Sequence, residues 1–93
     1  MFKTNEYFDG NVKSIAFETN EGPATIGVMA VGKYEFSTSK KEFMTVTSGK
    51  MLVKLPSSDE VKEFNKNETF IVEANKKFNV EVNEETAYIC FYK

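Results

Sequence analysis

Residues 42–56 read EFMTVTSGKMLVKLP. Met51, Val53 and Leu55 fall on one face of an extended chain, while Lys50, Leu52 and Lys54 fall on the other. The run before it, 43–48, is rich in β-branched and aromatic side chains, and Gly49 divides the two as a turn residue. Two short strands joined at a glycine are therefore expected at 43–48 and 50–55.

The same period of two continues outward in both directions. In KFNVEV, Phe78, Val80 and Val82 alternate with Asn79 and Glu81, and near the C-terminus Tyr88, Cys90 and Tyr92 alternate with Ile89 and Phe91. Further strands are expected at 11–18, 24–31, 33–38, 61–64, 69–73, 77–82 and 86–92. Turn signals separate them at Asp9-Gly10-Asn11, Asn20 to Pro23, Gly32, Pro56 to Asp59, Asn65 to Asn67, Asn75 and Asn83. No helical pattern of useful length appears. Many short strands at this spacing predict an all-β sandwich or closed barrel, and closure removes exposed strand edges. Neither a linker nor a composition shift divides the 93 residues, so one domain over 1–93 is expected.

Composition narrows the function classes. Hydrophobic residues make up 41% and charged residues 28%, as in ordinary globular domains. Nine Phe and no Trp can fill a core or line a cavity. The twelve basic residues are interleaved with Asp and Glu at a net charge of -2, which leaves no basic stripe for nucleic acid. No stretch approaches the ~18 apolar residues of a membrane span, and MFKTNEYF lacks the apolar run of a signal peptide. A lone Cys90 forms no internal disulfide and fits a reducing cytoplasm. It reads as a buried small hydrophobe rather than a nucleophile. The chain has no histidine, so zinc, copper and 2-His-1-carboxylate iron lose their preferred ligands; only a carboxylate Mg²⁺ site stays open. Ser-His-Asp and Cys-His catalysis are excluded on the same ground.

Glu42, six residues, then Gly49 is also the spacing of the latter half of the first cupin signature. A metal-binding cupin carries two His separated by one residue upstream; here Glu35 and Ser37, or Phe36 and Thr38, stand there. The second signature wants Gly, Pro, Gly and His, at a spacing matched here by Asn67, Glu73, Asn75 and Phe78. The frame is that of a cupin without its metal ligands: a cupin-like β-barrel of jelly-roll type, metal-free, with no cofactor.

A narrower resemblance spans residues 5 to 92. The segments NEYF (5–8), VKSI (12–15), GVM (27–29), YEFST (34–38), MTV (44–46), SG (48–49), LP (55–56) and YICFY (88–92) resemble the bacterial pyrimidine/purine nucleoside phosphorylase family. The weakest region is 57–67. The resemblance implies a cupin barrel, a homodimer, and conversion of purine and pyrimidine nucleosides plus phosphate to free base and ribose 1-phosphate. In the family pattern a basic residue lies near position 91, where this chain has Phe91.

Phosphorolysis needs donors that place phosphate and groups that stabilise a sugar with oxocarbenium character. Ser37 and Thr38, with Ser39, Lys40 and Lys41 after them, are candidate phosphate donors, and Lys13 and Lys33 are others; a solvated hairpin turn is the plain alternative for 37–41. Broad base acceptance calls for stacking rather than buried hydrogen bonds, since hydrogen-bond readout rejects bases that lack the partner. Tyr34, Phe36, Tyr88 and Tyr92 are candidate stacking faces, with Tyr7, Phe8 and Phe17 also available, although aromatic residues at period two usually pack cores. Glu42 is a candidate for the ribose hydroxyls.

Two competing readings follow from the same residues. One is a non-catalytic, degenerate cupin that binds a sugar- or nucleotide-like ligand. The other is an interaction protein that uses a mixed face such as Lys50, Leu52 and Lys54 for self-association.

Overall fold

A computed structural model describes residues 1–93. Ten strands follow one another: β1 (Thr4–Tyr7), β2 (Val12–Thr19), β3 (Gly22–Met29), β4 (Gly32–Ser37), β5 (Glu42–Ser48), β6 (Lys50–Lys54), β7 (Val61–Asn65), β8 (Thr69–Val72), β9 (Lys77–Val82) and β10 (Thr86–Tyr92). They form a six-stranded sheet in the order β1-β2-β3-β10-β5-β8 and a four-stranded sheet in the order β4-β9-β6-β7. Every pairing is antiparallel. The chain changes sheet at most of its connections, as a jelly roll does; the fold is all-β, as the periodicity predicts, and of the cupin-like form expected from the Glu42-to-Gly49 spacing.

Alternation fills the space between the sheets. Val12, Met29, Met44, Val46 and Cys90 point inward from the six-stranded sheet; Tyr34, Met51, Val53, Phe78, Val80 and Val82 meet them from the four-stranded one. All belong to one buried cluster. Each large apolar side chain so buried contributes roughly 1.5–3 kcal/mol, so one shared core accounts for cohesion of both sheets.

The corner between β5 and β6 explains its glycine. Gly49 has φ +83°, and a Cβ there would lie 2.6 Å from the Thr86 hydroxyl oxygen. That hydroxyl is engaged with the carbonyls of Lys50 and Glu84 and cannot yield freely. Asn67 (φ 73°) and Asn75 (φ 62°) take the positions where the cupin pattern prefers glycine or proline-glycine. Asn tolerates the left-handed region better than any other residue with a side chain of its size, so the turns survive the substitution.

The sequence expectation lacks β1 altogether, and several other strands begin or end one or two residues from the expected positions. β1 carries no apolar alternation, because Thr4–Tyr7 is an exposed edge strand held by β2 alone. β3 begins at Gly22 rather than after Pro23, so the turn tightens to Asn20 and Glu21. Pro23 is tolerated there because the β10 ladder ends at the Ala24–Phe91 pair, one residue short of it. The structure contains no helix long and apolar enough to cross a membrane.

Candidate functional site

One end of the barrel interior stays open. A cavity of about 320 Å³ lies between the sheets, lined by Tyr7, Phe8, Ser14, Glu35, Phe36, Ser37, Glu42, Met44, Phe78, Tyr88 and Tyr92. That volume falls within the range of small-molecule sites. Its walls are aromatic, and its polar groups are hydroxyls and two carboxyls. Ser14 and Tyr88 come from the inner faces of β2 and β10, Glu42 and Met44 from β5, and Phe78 from β9.

The arrangement of Tyr88 depends on a glycine. Tyr88 on β10 pairs with Gly27 on β3, and Ser14 on β2 pairs with Gly27 from the other side. The Tyr88 ring lies flat over Gly27, where a Cβ would sit 2.4 Å from its Cζ and hydroxyl oxygen. Only glycine lets the ring cross β3 toward β2, where Ser14 stands on the far side of Gly27. Tyr92 lies four residues further along β10 on the same face, and its hydroxyl is 2.9 Å from that of Thr25. Burial above all pushes both phenols upward, so they remain O–H donors through the physiological range.

Glu42 is the half-buried carboxyl of the cavity. Burial raises its pKa, and a hydrogen bond from the Cys90 thiol, Sγ to Oε1 3.6 Å, opposes that rise. Cys90 itself is fully buried. Burial first, and the Glu42 charge second, push its thiol up, so a thiolate nucleophile is disfavoured. Glu35 stands at the rim. No three Cys, Asp or Glu side chains gather into a group that could hold a metal ion.

Five of the eight candidate side chains meet in this cavity: Phe36, Ser37, Glu42, Tyr88 and Tyr92. Three lie elsewhere. Tyr34 shares a face with Phe36 but sits deeper, 6% exposed, with its hydroxyl donated to the Ala30 carbonyl. Thr38 is also buried; its hydroxyl donates to the Glu73 carbonyl at 2.7 Å and accepts from the Lys76 N–H at 3.0 Å, which ties the β8–β9 turn to β4. No donor capacity is left there for a phosphate. Lys13 occupies the outer face of β2 and pairs with Glu6 at 3.3 Å. Its neighbours Val12 and Ser14 carry the inward parity, which is the signal by which Ser14 could have been found from sequence.

Phe91 points away from the cavity. It lies on the outer face of the six-stranded sheet between Phe43 and Ala24, while Cys90 and Tyr92 on either side face inward. A basic residue at 91 would therefore not line the cavity of its own chain.

The family described as pyrimidine/purine nucleoside phosphorylase matches residues 2–92. A protein of Cellvibrio japonicus named pyrimidine/purine nucleoside phosphorylase is 60% identical over 93 residues, covering 100% of both chains. Among solved structures, a Vibrio parahaemolyticus protein of unknown function superposes with a TM-score of 0.93 at 38% identity, over 97% of this chain and 96% of that one. An RmlC-like cupin of Shewanella frigidimarina superposes with a TM-score of 0.74 at 15% identity, over 96% and 80%, which bears on the fold alone. The chain belongs to the pyrimidine/purine nucleoside phosphorylase family.

Proposed function

We propose that this chain is a nucleoside phosphorylase that accepts purine and pyrimidine ribosides in the open end of its barrel. The full-length match to the phosphorylase family carries the reading, and the cavity supplies what the chemistry needs. A phosphate oxygen attacks C1′ of the nucleoside, the C1′–N bond breaks, and the departing base takes up a proton. The products are ribose 1-phosphate and free base. Charge develops on the sugar as the bond breaks, so the protein's task is placement and electrostatic support.

The lining residues divide along chemical lines. The hydroxyls of Ser14, Tyr7, Tyr88 and Tyr92, with Ser37 at the rim, are O–H donors for phosphate and ribose oxygens. The Glu42 carboxylate accepts from ribose hydroxyls. Phe36 offers a ring face to the base, and stacking of this kind tolerates many bases. Lys13, Tyr34 and Thr38 act in the scaffold instead.

The test is phosphate dependence. Uridine and adenosine are each incubated with the protein, with and without phosphate, and free base is measured by chromatography. Base and ribose 1-phosphate are expected only when phosphate is present. Base release without phosphate indicates a hydrolase, and saturable binding without turnover indicates the non-catalytic cupin. The single unpaired cysteine suits a reducing cytoplasm, where we place the enzyme.

The homodimer implied by the family is placed on the outer face of the six-stranded sheet. Ile15, Ile26, Val28 and Ile71 there are each about half exposed, and Phe2 lies beside them. Contiguous apolar surface of this kind marks an interface. The mixed face of Lys50, Leu52 and Lys54 lies on the opposite sheet, where Lys50 already pairs with Glu63 at 3.7 Å. Light scattering is expected to give twice the 10.6 kDa chain mass, and Ile26→Lys to give a monomer. A dimer unaffected by Ile26→Lys would move the interface elsewhere.

A further inference from the structure

The turn that joins β1 to β2 is built against its own residue preferences. Phe8, Asp9 and Gly10 have φ of 55°, 57° and 86°, three successive left-handed residues. The turn is closed by bonds from Gly10 N–H to the Tyr7 carbonyl at 3.2 Å and from Asn11 N–H to the Phe8 carbonyl at 3.1 Å. Gly10 adopts this region freely and Asp9 tolerates it. Phe8 does neither, because its Cβ crowds the following carbonyl oxygen in the left-handed region. Glycine or asparagine would serve the turn better.

The Phe8 ring points into the cavity region. It lies 4.9 Å from the Tyr34 ring at a 50° tilt and 5.6 Å from Phe36 edge-on, and it lines the cavity together with Tyr7. Those contacts offset part of the strain. Yet the residue remains 43% exposed, whereas the aromatic residues that complete the core, Tyr34, Phe70 and Phe78, are 6% exposed or less. A ring that only sealed the core would be covered. This one leaves a face open at the mouth of the cavity, on an edge hairpin held by a single neighbouring strand.

We propose that Phe8 is a substrate-binding residue whose open ring face stacks on the nucleobase at the cavity mouth, beside the Phe36 ring that it meets edge-on, and so secures purine and pyrimidine ribosides alike. The proposal rests on the phosphorylase reading and deepens it by assigning the base subsite. A base stacked on a ring face contributes affinity through its π surface, which every nucleobase has, rather than through a hydrogen-bond pattern that only some share. The left-handed turn serves to put a bulky ring where an edge strand alone could not hold one.

The deciding variants are Phe8→Asn, which keeps the left-handed preference, and Phe8→Trp, which keeps an aromatic face. Phe8→Asn is expected to raise KM for both uridine and adenosine about tenfold, with kcat and the KM for phosphate within twofold of the parent. Its melting temperature is expected to stay level or rise, because the turn relaxes. Phe8→Trp is expected to restore both nucleoside KM values to within about threefold. Unchanged nucleoside KM in a folded Phe8→Asn protein, or an equal rise in the KM for phosphate, overturns the proposal. If the parent protein releases no base from either nucleoside, the phosphorylase reading is what has failed. The subsite is then decided by calorimetric titration of adenosine, where binding to the parent but not to Phe8→Asn upholds it and equal or absent binding in both refutes it.

Discussion

Replacing Gly27 by alanine is expected to lower kcat/KM for uridine and adenosine by about 100-fold while the barrel still folds. The added Cβ would stand 2.4 Å from Cζ and the hydroxyl oxygen of Tyr88 and 2.7 Å from Cε1. Carbon atoms in good contact sit about 3.5–4.0 Å apart, so the ring must withdraw by more than ~1 Å. It cannot pass through β3, and its Cα is fixed by pairing to Gly27 on one side and Val46 on the other. The remaining path is into the cavity. There the ring would occupy cavity volume and leave its place over Gly27. A displacement of ~1 Å in a positioning group can cost 10²-fold in rate, or about 2.7 kcal/mol. Stability suffers less, because the far end of one side chain can move without a shift of backbone. The double variant Gly27→Ala/Tyr88→Leu removes the clash and should regain the parental melting temperature without regaining activity. A Gly27→Ala protein with kcat/KM within threefold of the parent would show that the Tyr88 position is not needed.

The same pairing shows what a reader of the sequence could and could not have seen. Parity is legible: once Val12 is taken as inward, Ser14 must be inward and Lys13 outward, and the structure agrees. Depth is not. Tyr34 and Phe36 have identical parity, yet Phe36 reaches the cavity while Tyr34 is packed behind it against the Ala30 carbonyl. Nor does alternation reveal prior commitments of a hydroxyl. Thr38 looks like a donor beside Ser37, but the β8–β9 turn consumes it through backbone groups some 35 residues away in sequence. The edge strand β1 was illegible for a further reason. An edge strand with little buried surface has no apolar face to announce it, and its pairing with β2 depends on backbone bonds, which leave no trace in side-chain pattern. The Gly27 requirement arises only when β2, β3 and β10 lie side by side, so nothing local to residue 27 signals it.

Glu42→Gln is expected to cut kcat/KM by about 100-fold and, unlike Gly27→Ala, to change how the protein responds to pH. Burial raises the Glu42 pKa, with the Cys90 thiol hydrogen bond pulling the other way. An acid that holds its proton more tightly folded than unfolded stabilises the fold at low pH, and that contribution is lost as pH rises through the raised value. At pH 8 the ionised carboxyl therefore weighs against the fold. The neutral amide carries no such cost, so the melting temperature of Glu42→Gln relative to the parent should be more favourable at pH 8 than at pH 5. Activity has the opposite demand. A carboxylate that accepts from ribose hydroxyls must be ionised, so parental kcat/KM should fall on acidification at a pH above the ordinary carboxylate range. Inorganic phosphate also changes its protonation near neutrality and contributes its own limb to the profile. The variant separates the two, because the phosphate limb persists in Glu42→Gln while the Glu42 limb disappears. A variant that keeps the parental acid limb, or that loses stability at pH 8 as much as at pH 5, would place the titrating group outside Glu42. The combination of a more stable protein and a slower one is the signature of a carboxyl kept in the cavity for chemistry at the expense of the fold.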